Sequence, residues 1–184
     1  MSIINFESSF SLNQSKFKTI TLDSTDMHNC VSYIKGLVFN DTGLHKIESE
    51  VSKYKEVFNR VCYITALSKV INFPLIDYKD MDTPVLEQFK RYVGRWSEVI
   101  FFNYGEFPLF YYPIYKKSIF ICKVNDYEYC ICGYGDQVVV NSYSNKSLVV
   151  SKNLREYSNM SAFYGFENLI RVPDNIYDFQ NLMK

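Results

Sequence analysis

Ile119-Phe120-Ile121-Cys122-Lys123-Val124-Asn125-Asp126-Tyr127-Glu128-Tyr129-Cys130-Ile131-Cys132 reads as two strands around a tight turn. β-branched and aromatic residues fill both arms, and Asn125-Asp126 is a two-residue linker suited to a hairpin. That pairing sets Lys123 opposite Glu128 and Ile121 opposite Cys130. It leaves Cys122 on the face away from Cys130 and Cys132. Gly133-Tyr134-Gly135-Asp136 supplies the next turn, and Gln137 to Asn141 with Ser147 to Ser151 form a further hairpin around Ser142 to Lys146. The spacing predicts an antiparallel meander.

Upstream of Asn103 the period is helical. After a short opening strand over Phe17 to Leu22, Asp23 to Asp26 offer N-cap residues. Met27, Cys30, Val31, Ile34, Leu37 and Val38 then recur at helical spacing. The first helix is expected from about Met27 to Phe39. A second carries Ile47, Val51, Tyr54, Phe58, Val61, Cys62 and Thr65 on its inner stripe and stops at Asn72-Phe73-Pro74. A third has Asp82 or Thr83 as cap, Pro84 in its first turn, and a stripe of Val85, Phe89, Tyr92, Val93, Trp96 and Ile100. Asp174 to Met183 closes the chain as a short helix. Helices first and strands second indicate one α+β domain over residues 1–184, with N-terminal helices packed on a C-terminal antiparallel sheet.

At 184 residues the chain can bury a core without disulfide staples. Twenty basic residues balance twenty acidic ones, which argues against nucleic-acid binding. Five cysteines are an odd number without framework spacing, so reduced thiols in the cytoplasm are expected. No apolar run reaches the ~18 residues of a membrane span, and no secretory signal opens the chain. Sixteen tyrosines and fifteen phenylalanines fit either an aromatic core or a recognition surface.

Few residues carry chemistry. Cys30 follows Ser24-Thr25-Asp26-Met27-His28-Asn29, where a polar run becomes a helix. A thiol at a helix N-terminus faces unpaired N–H groups that favour the thiolate. The same residue also falls on the apolar stripe, where cysteine packs as a small hydrophobe. His28 and His45 are the only histidines. His28 lies two residues before Cys30, a spacing that points it away from the thiol, although a nearby cation would lower the thiol's pKa. Cys130 and Cys132 share a strand face but lack the four converging ligands of a closed zinc site. The glycines form no phosphate cradle. No metal and no cofactor is expected.

Two segments together resemble a known family. One is Ser24 to Val31. The other runs from Glu98-Val99-Ile100-Phe101-Phe102 through Leu109 to Lys117, then Tyr127 to Asp136 and Val138 to Ser142. The pattern is similar to papain-like domains of the butirosin-biosynthesis acyltransferase type, found in bacterial natural-product and nonribosomal peptide pathways. The peptidase domains of bacteriocin exporters are more distant relatives. The resemblance implies a papain-like fold with Cys30 as nucleophile, acyl transfer or thioester or peptide hydrolysis, and a carrier protein or peptide as partner. The family's histidine position falls on Tyr127 and its aspartate position on Asn141 or Ser142. Tyrosine, with a free pKa of about 10, is a poor base at neutral pH.

Three readings follow. The chain is a cysteine acyltransferase or hydrolase working through Cys30, Tyr127 and Asn141, with His28 as an unconventional base. It is a degenerate relative that binds a carrier protein or peptide through the same scaffold. Or it is an unrelated small cytoplasmic protein-binding protein, such as a bacterial immunity protein that neutralises a toxin.

Overall fold

The structure, a computed structural model, describes residues 10–11, 14–41, 47–94, 97–105, 110–111, 117–135, 161–162 and 169–184. In chain order the elements are β1 (Lys18–Thr21), α1 (Ser24–Asp41), α2 (Ile47–Val70), α3 (Val85–Val93), β2 (Ser97–Asn103), β3 (Phe110–Tyr111), β4 (Lys117–Lys123), β5 (Glu128–Gly135), β6 (Ser161–Ala162) and α4 (Ile176–Met183). The class is α+β. The chain forms two compact units interleaved in sequence: residues 1–19, 96–125 and 130–172 in the first, and 20–95, 126–129 and 173–184 in the second.

The four-stranded sheet has the order β1-β5-β4-β2, and β3 pairs with β6 in a separate antiparallel ladder. The sheet is mixed, which corrects the expectation of an antiparallel meander. β2 runs parallel to β4, from Ser97 beside Lys117 to Asn103 beside Lys123. β2 itself replaces the expected end of the third helix. Gly94, at φ 84°, stops α3, so Ile100 belongs to a strand. Between β4 and β5 lie the four residues 124–127, far too few for a parallel crossover, so this pair is antiparallel as expected.

Two further corrections concern β5. Gly133, Tyr134 and Gly135 continue the strand instead of turning it. Cys122 also joins Cys130 and Cys132 in one buried cluster with Phe10, Phe17, Phe102, Phe120 and Leu169, instead of facing away from them. The connection is longer than a two-residue turn, and a shift in register moves a whole strand's side chains to the other face. β4 and β5 are buried almost throughout, so no polar alternation marks their faces. Within β5, Tyr134 exchanges backbone hydrogen bonds with Ile170 at 2.7 and 2.8 Å.

The second unit is helical. Val61, Cys62, Ile64 and Leu67 of α2 are buried, as are Cys30 and Tyr33 of α1. α3 buries Val85, Phe89 and Val93, and α4 buries Phe179 and Met183. Asn175 caps α4 by accepting from the Asp178 N–H at 2.9 Å. α3 starts one residue later than expected, with Pro84 at the cap position and no side-chain cap. Buried Gln88 organises the preceding loop. It accepts from the Asp77 N–H at 2.8 Å and donates to the carbonyls of Asp80 and Thr83, each at 3.0 Å. Trp96, the Gln137–Asn141 and Ser147–Ser151 hairpin, and His45 lie outside the described residues.

Candidate functional site

Helix α1 begins a turn ahead of expectation. Asp23 Oδ1 accepts from the N–H groups of Thr25 and Asp26, while Asp26 Oδ2 accepts from the Asp23 N–H at 2.9 Å. This reciprocal capping box makes Ser24 the first helical residue and places Cys30 in the second turn. There the backbone N–H groups are already engaged within the helix, so no ring of free donors faces the thiol.

Cys30 is 0 % exposed and points at α2. Its Sγ lies 3.5 Å from Thr65 Oγ1 and in hydrogen-bond contact with the Cys62 thiol. Thr65 donates its one hydroxyl proton to the Val61 carbonyl at 2.7 Å. It therefore accepts from its other neighbours: the Tyr78 hydroxyl at 2.8 Å and the Cys30 S–H. Tyr129, whose ring packs edge-on against Tyr63, hydrogen-bonds Cys62. An ordered run of donors results: Cys30 and Tyr78 give to Thr65, and Thr65 gives to the Val61 carbonyl, with Cys62 and Tyr129 as further polar neighbours.

The electrostatics follow from this wiring. The hydrogen bond from Cys62 holds the Cys30 thiol below its ordinary value, against the opposing effect of burial. Burial pushes Tyr78 up to about 12, and pushes Tyr129 up as well. Neither phenol is a base at neutral pH. The Cys30 thiol therefore has polar neighbours but no proton acceptor suited to nucleophilic catalysis.

The other residues singled out from the sequence stand apart from it. His28 projects from the outer face of α1, where Nε2 lies 3.5 Å from Ser32 Oγ. Tyr127 is 58 % exposed, and its carbonyl accepts from the Leu22 N–H at 2.8 Å. Asn141 lies outside the described residues. The structure thus separates the enclosed thiol from the exposed histidine and the exposed phenol. Among the described residues no group of three or more Cys, His, Asp and Glu side chains is arranged to hold a metal ion, and no helix is long and apolar enough to cross a membrane.

Sequence reading missed a cavity of about 380 Å³ in the helical unit. Tyr33 and Leu37 of α1, Tyr54 and Val57 of α2, and Met81 and Val85 supply its apolar walls. Its rim is charged. Arg60 pairs with Glu56 along α2, and Glu87 pairs with Lys90 at 2.7 Å along α3. Gly36 on α1 lets the Met81 side chain approach closely, for an added Cβ would meet Met81 Cε at 2.6 Å. A glycine inside the helical pattern, immediately before Leu37, was the available signal for this close approach. No family model, curated protein or solved structure matches this chain.

Proposed function

We propose that this chain works by binding rather than by catalysis, taking apolar side chains of a peptide or carrier-protein partner into the cavity of the helical unit. The observation that carries this reading is the state of Cys30: enclosed, committed to Thr65 and Cys62, and separate from His28 and Tyr127. A papain-like ancestry remains compatible with it, as a scaffold whose proton-transfer residues have been replaced. Support for the binding surface comes from the apolar walls with a charged rim, a combination that gives affinity inside and orientation at the edge.

One observation favours the enzymatic reading, namely the thiol held below its ordinary value by Cys62. Alkylation of the native protein with iodoacetamide across pH separates the two, with Cys30→Ala as control. The binding reading expects Cys30 to label only on unfolding. Fast native labelling that titrates below the free thiol would restore Cys30 as a nucleophile. Peptides selected from a random library test the cavity itself. Their binding should collapse in Val57→Arg, and selected peptides indifferent to that change would reject the cavity.

A further inference from the structure

Cys30 and Cys62 stand on adjacent, packed helices, both wholly enclosed, and the Cys30 Sγ lies 3.5 Å from Thr65 Oγ1 on the α2 face that also carries Cys62. Thr65 is one turn after Cys62 on α2, so its contact with Cys30 turns the Cys30 sulfur toward Cys62. Side-chain rotation of neighbouring thiols on packed helices can bring their sulfurs to the S–S distance of about 2 Å. We infer that Cys30 and Cys62 form a reversible intramolecular disulfide, a redox modification site joining α1 to α2.

The oxidant is a peroxide, small enough to reach enclosed sulfur when the helices breathe. Cys30 takes the first step because Cys62 donates a hydrogen bond to its sulfur. The Cys30 sulfur attacks one peroxide oxygen. The O–O bond breaks, an S–O bond forms, and the thiol proton leaves with the departing hydroxide as water. The Cys62 sulfur then attacks the sulfenic acid. The S–O bond breaks, the S–S bond forms, and the hydroxyl departs with the Cys62 proton as a second water. Two thiols are oxidised and one peroxide is reduced.

The remaining cysteines are less well placed. Cys130 and Cys132 are two apart on one strand, where the extended backbone carries their Cα atoms to the limit of disulfide reach. Cys132 is pushed well up by burial and by the neighbouring thiols, which suppresses its thiolate. Cys130 is engaged by Thr19 Oγ1 at 3.4 Å.

The consequence is local to the helical unit. α1 and α2 provide Tyr33, Leu37, Tyr54 and Val57 to the same cavity. A covalent tie between them limits how far those two walls can part.

The test uses the whole chain, oxidised with stoichiometric hydrogen peroxide, denatured, alkylated and analysed by intact and peptide mass. The expected product is two hydrogens lighter, contains a peptide joining Cys30 to Cys62, and returns to five free thiols with dithiothreitol. Its melting temperature should rise, because the cross-link restricts the unfolded chain. In Cys62→Ser the cross-link should vanish and Cys30 should proceed to sulfinic acid. A disulfide confined to Cys122, Cys130 and Cys132 would overturn the inference. So would oxidation of Cys30 in the native chain to sulfinic acid with Cys62 left reduced.

Discussion

Asp23 and Asp26 cap one another: the Asp26 N–H donates to Asp23 Oδ1 at 3.0 Å, and the Asp23 N–H returns the bond to Asp26 Oδ2 at 2.9 Å. Lys69 of α2 reaches both carboxylates, at 3.2 and 2.5 Å. The start of α1 is therefore fixed by its own sequence and tied to the helix it packs against. This places Cys30 in the second turn, facing Thr65.

Acid should loosen this tie. Backbone and Lys69 hydrogen bonds hold Asp23 below 3.8, and the Thr83 hydrogen bonds do the same for Asp80. Both groups bind fewer protons when folded. Their contribution is complete above the unfolded value of 3.8 and disappears as pH falls through the lower folded values. Urea midpoints measured from pH 6 downward should fall in the native chain. They should fall less steeply in Asp23→Asn, which starts from a lower plateau. Parallel curves would show that the cap is not coupled to folding.

Alkaline solution acts on Tyr78 with the opposite sign. Its folded value is raised to about 12 from 10.0, so stability is intact below 10 and is lost as pH rises through the folded value. Replacement by Phe removes one donor to Thr65 and should cost about 1 kcal/mol near neutrality. It should also flatten the alkaline limb of the stability curve. Absorbance titration of the folded protein should show the late-ionising fraction reduced by one tyrosine.

Gln88→Leu keeps the volume but abandons three backbone partners in the loop before α3. With the Asp77 N–H and the Asp80 and Thr83 carbonyls left to find others, a loss of about 2–3 kcal/mol is expected. Hydrogen exchange at the Asp77 amide should accelerate more than exchange within α2. Equal acceleration in both would mean that the glutamine supports the whole unit and not the loop.

Gly133→Ala should be the most damaging small substitution in the sheet. Its φ is 139°, and an added Cβ would meet the Ile170 carbonyl oxygen at 2.7 Å and Leu169 Cβ at 2.8 Å. Backbone strain and the collision together should cost about 2 kcal/mol or more. Thermal melting would register this directly, and an unchanged midpoint would refute the close approach of residues 169–170.

The helices were readable because α1 and α2 carry apolar residues at helical spacing and end in polar breaks. Val31, expected on the inner stripe of α1, is nevertheless exposed, and Tyr33 is buried in its place. Thr65 stood on the α2 stripe and is indeed buried. The boundary between α3 and β2 was obscured because Val93, Trp96 and Ile100 continue a helical period past the stop. Gly94, just after Lys90 and Arg91, was the sign that should have prevailed. Parallel pairing of β2 with β4 left no local mark, since neither strand adjoins the other in sequence. Cys30 was legible as buried or reactive, and the choice depended on Thr65 and Cys62, which sequence spacing does not bring near it. Gln88 shows the same limit, for a buried amide is recognised by its partners and not by its neighbours in the chain.

The interleaving of the two units bears on how the protein is made. Each is assembled from three separate stretches, the first closing only with residues 130–172 and the second only with residues 173–184. Phe179 and Met183, which fill the core of the second unit, come after every other stretch of that unit in the chain. The second unit cannot complete itself on the ribosome while α4 is still within the exit tunnel. The nascent chain must carry α1 and α2 as an unfinished pair, with their apolar faces waiting for partners, until translation has passed residue 172.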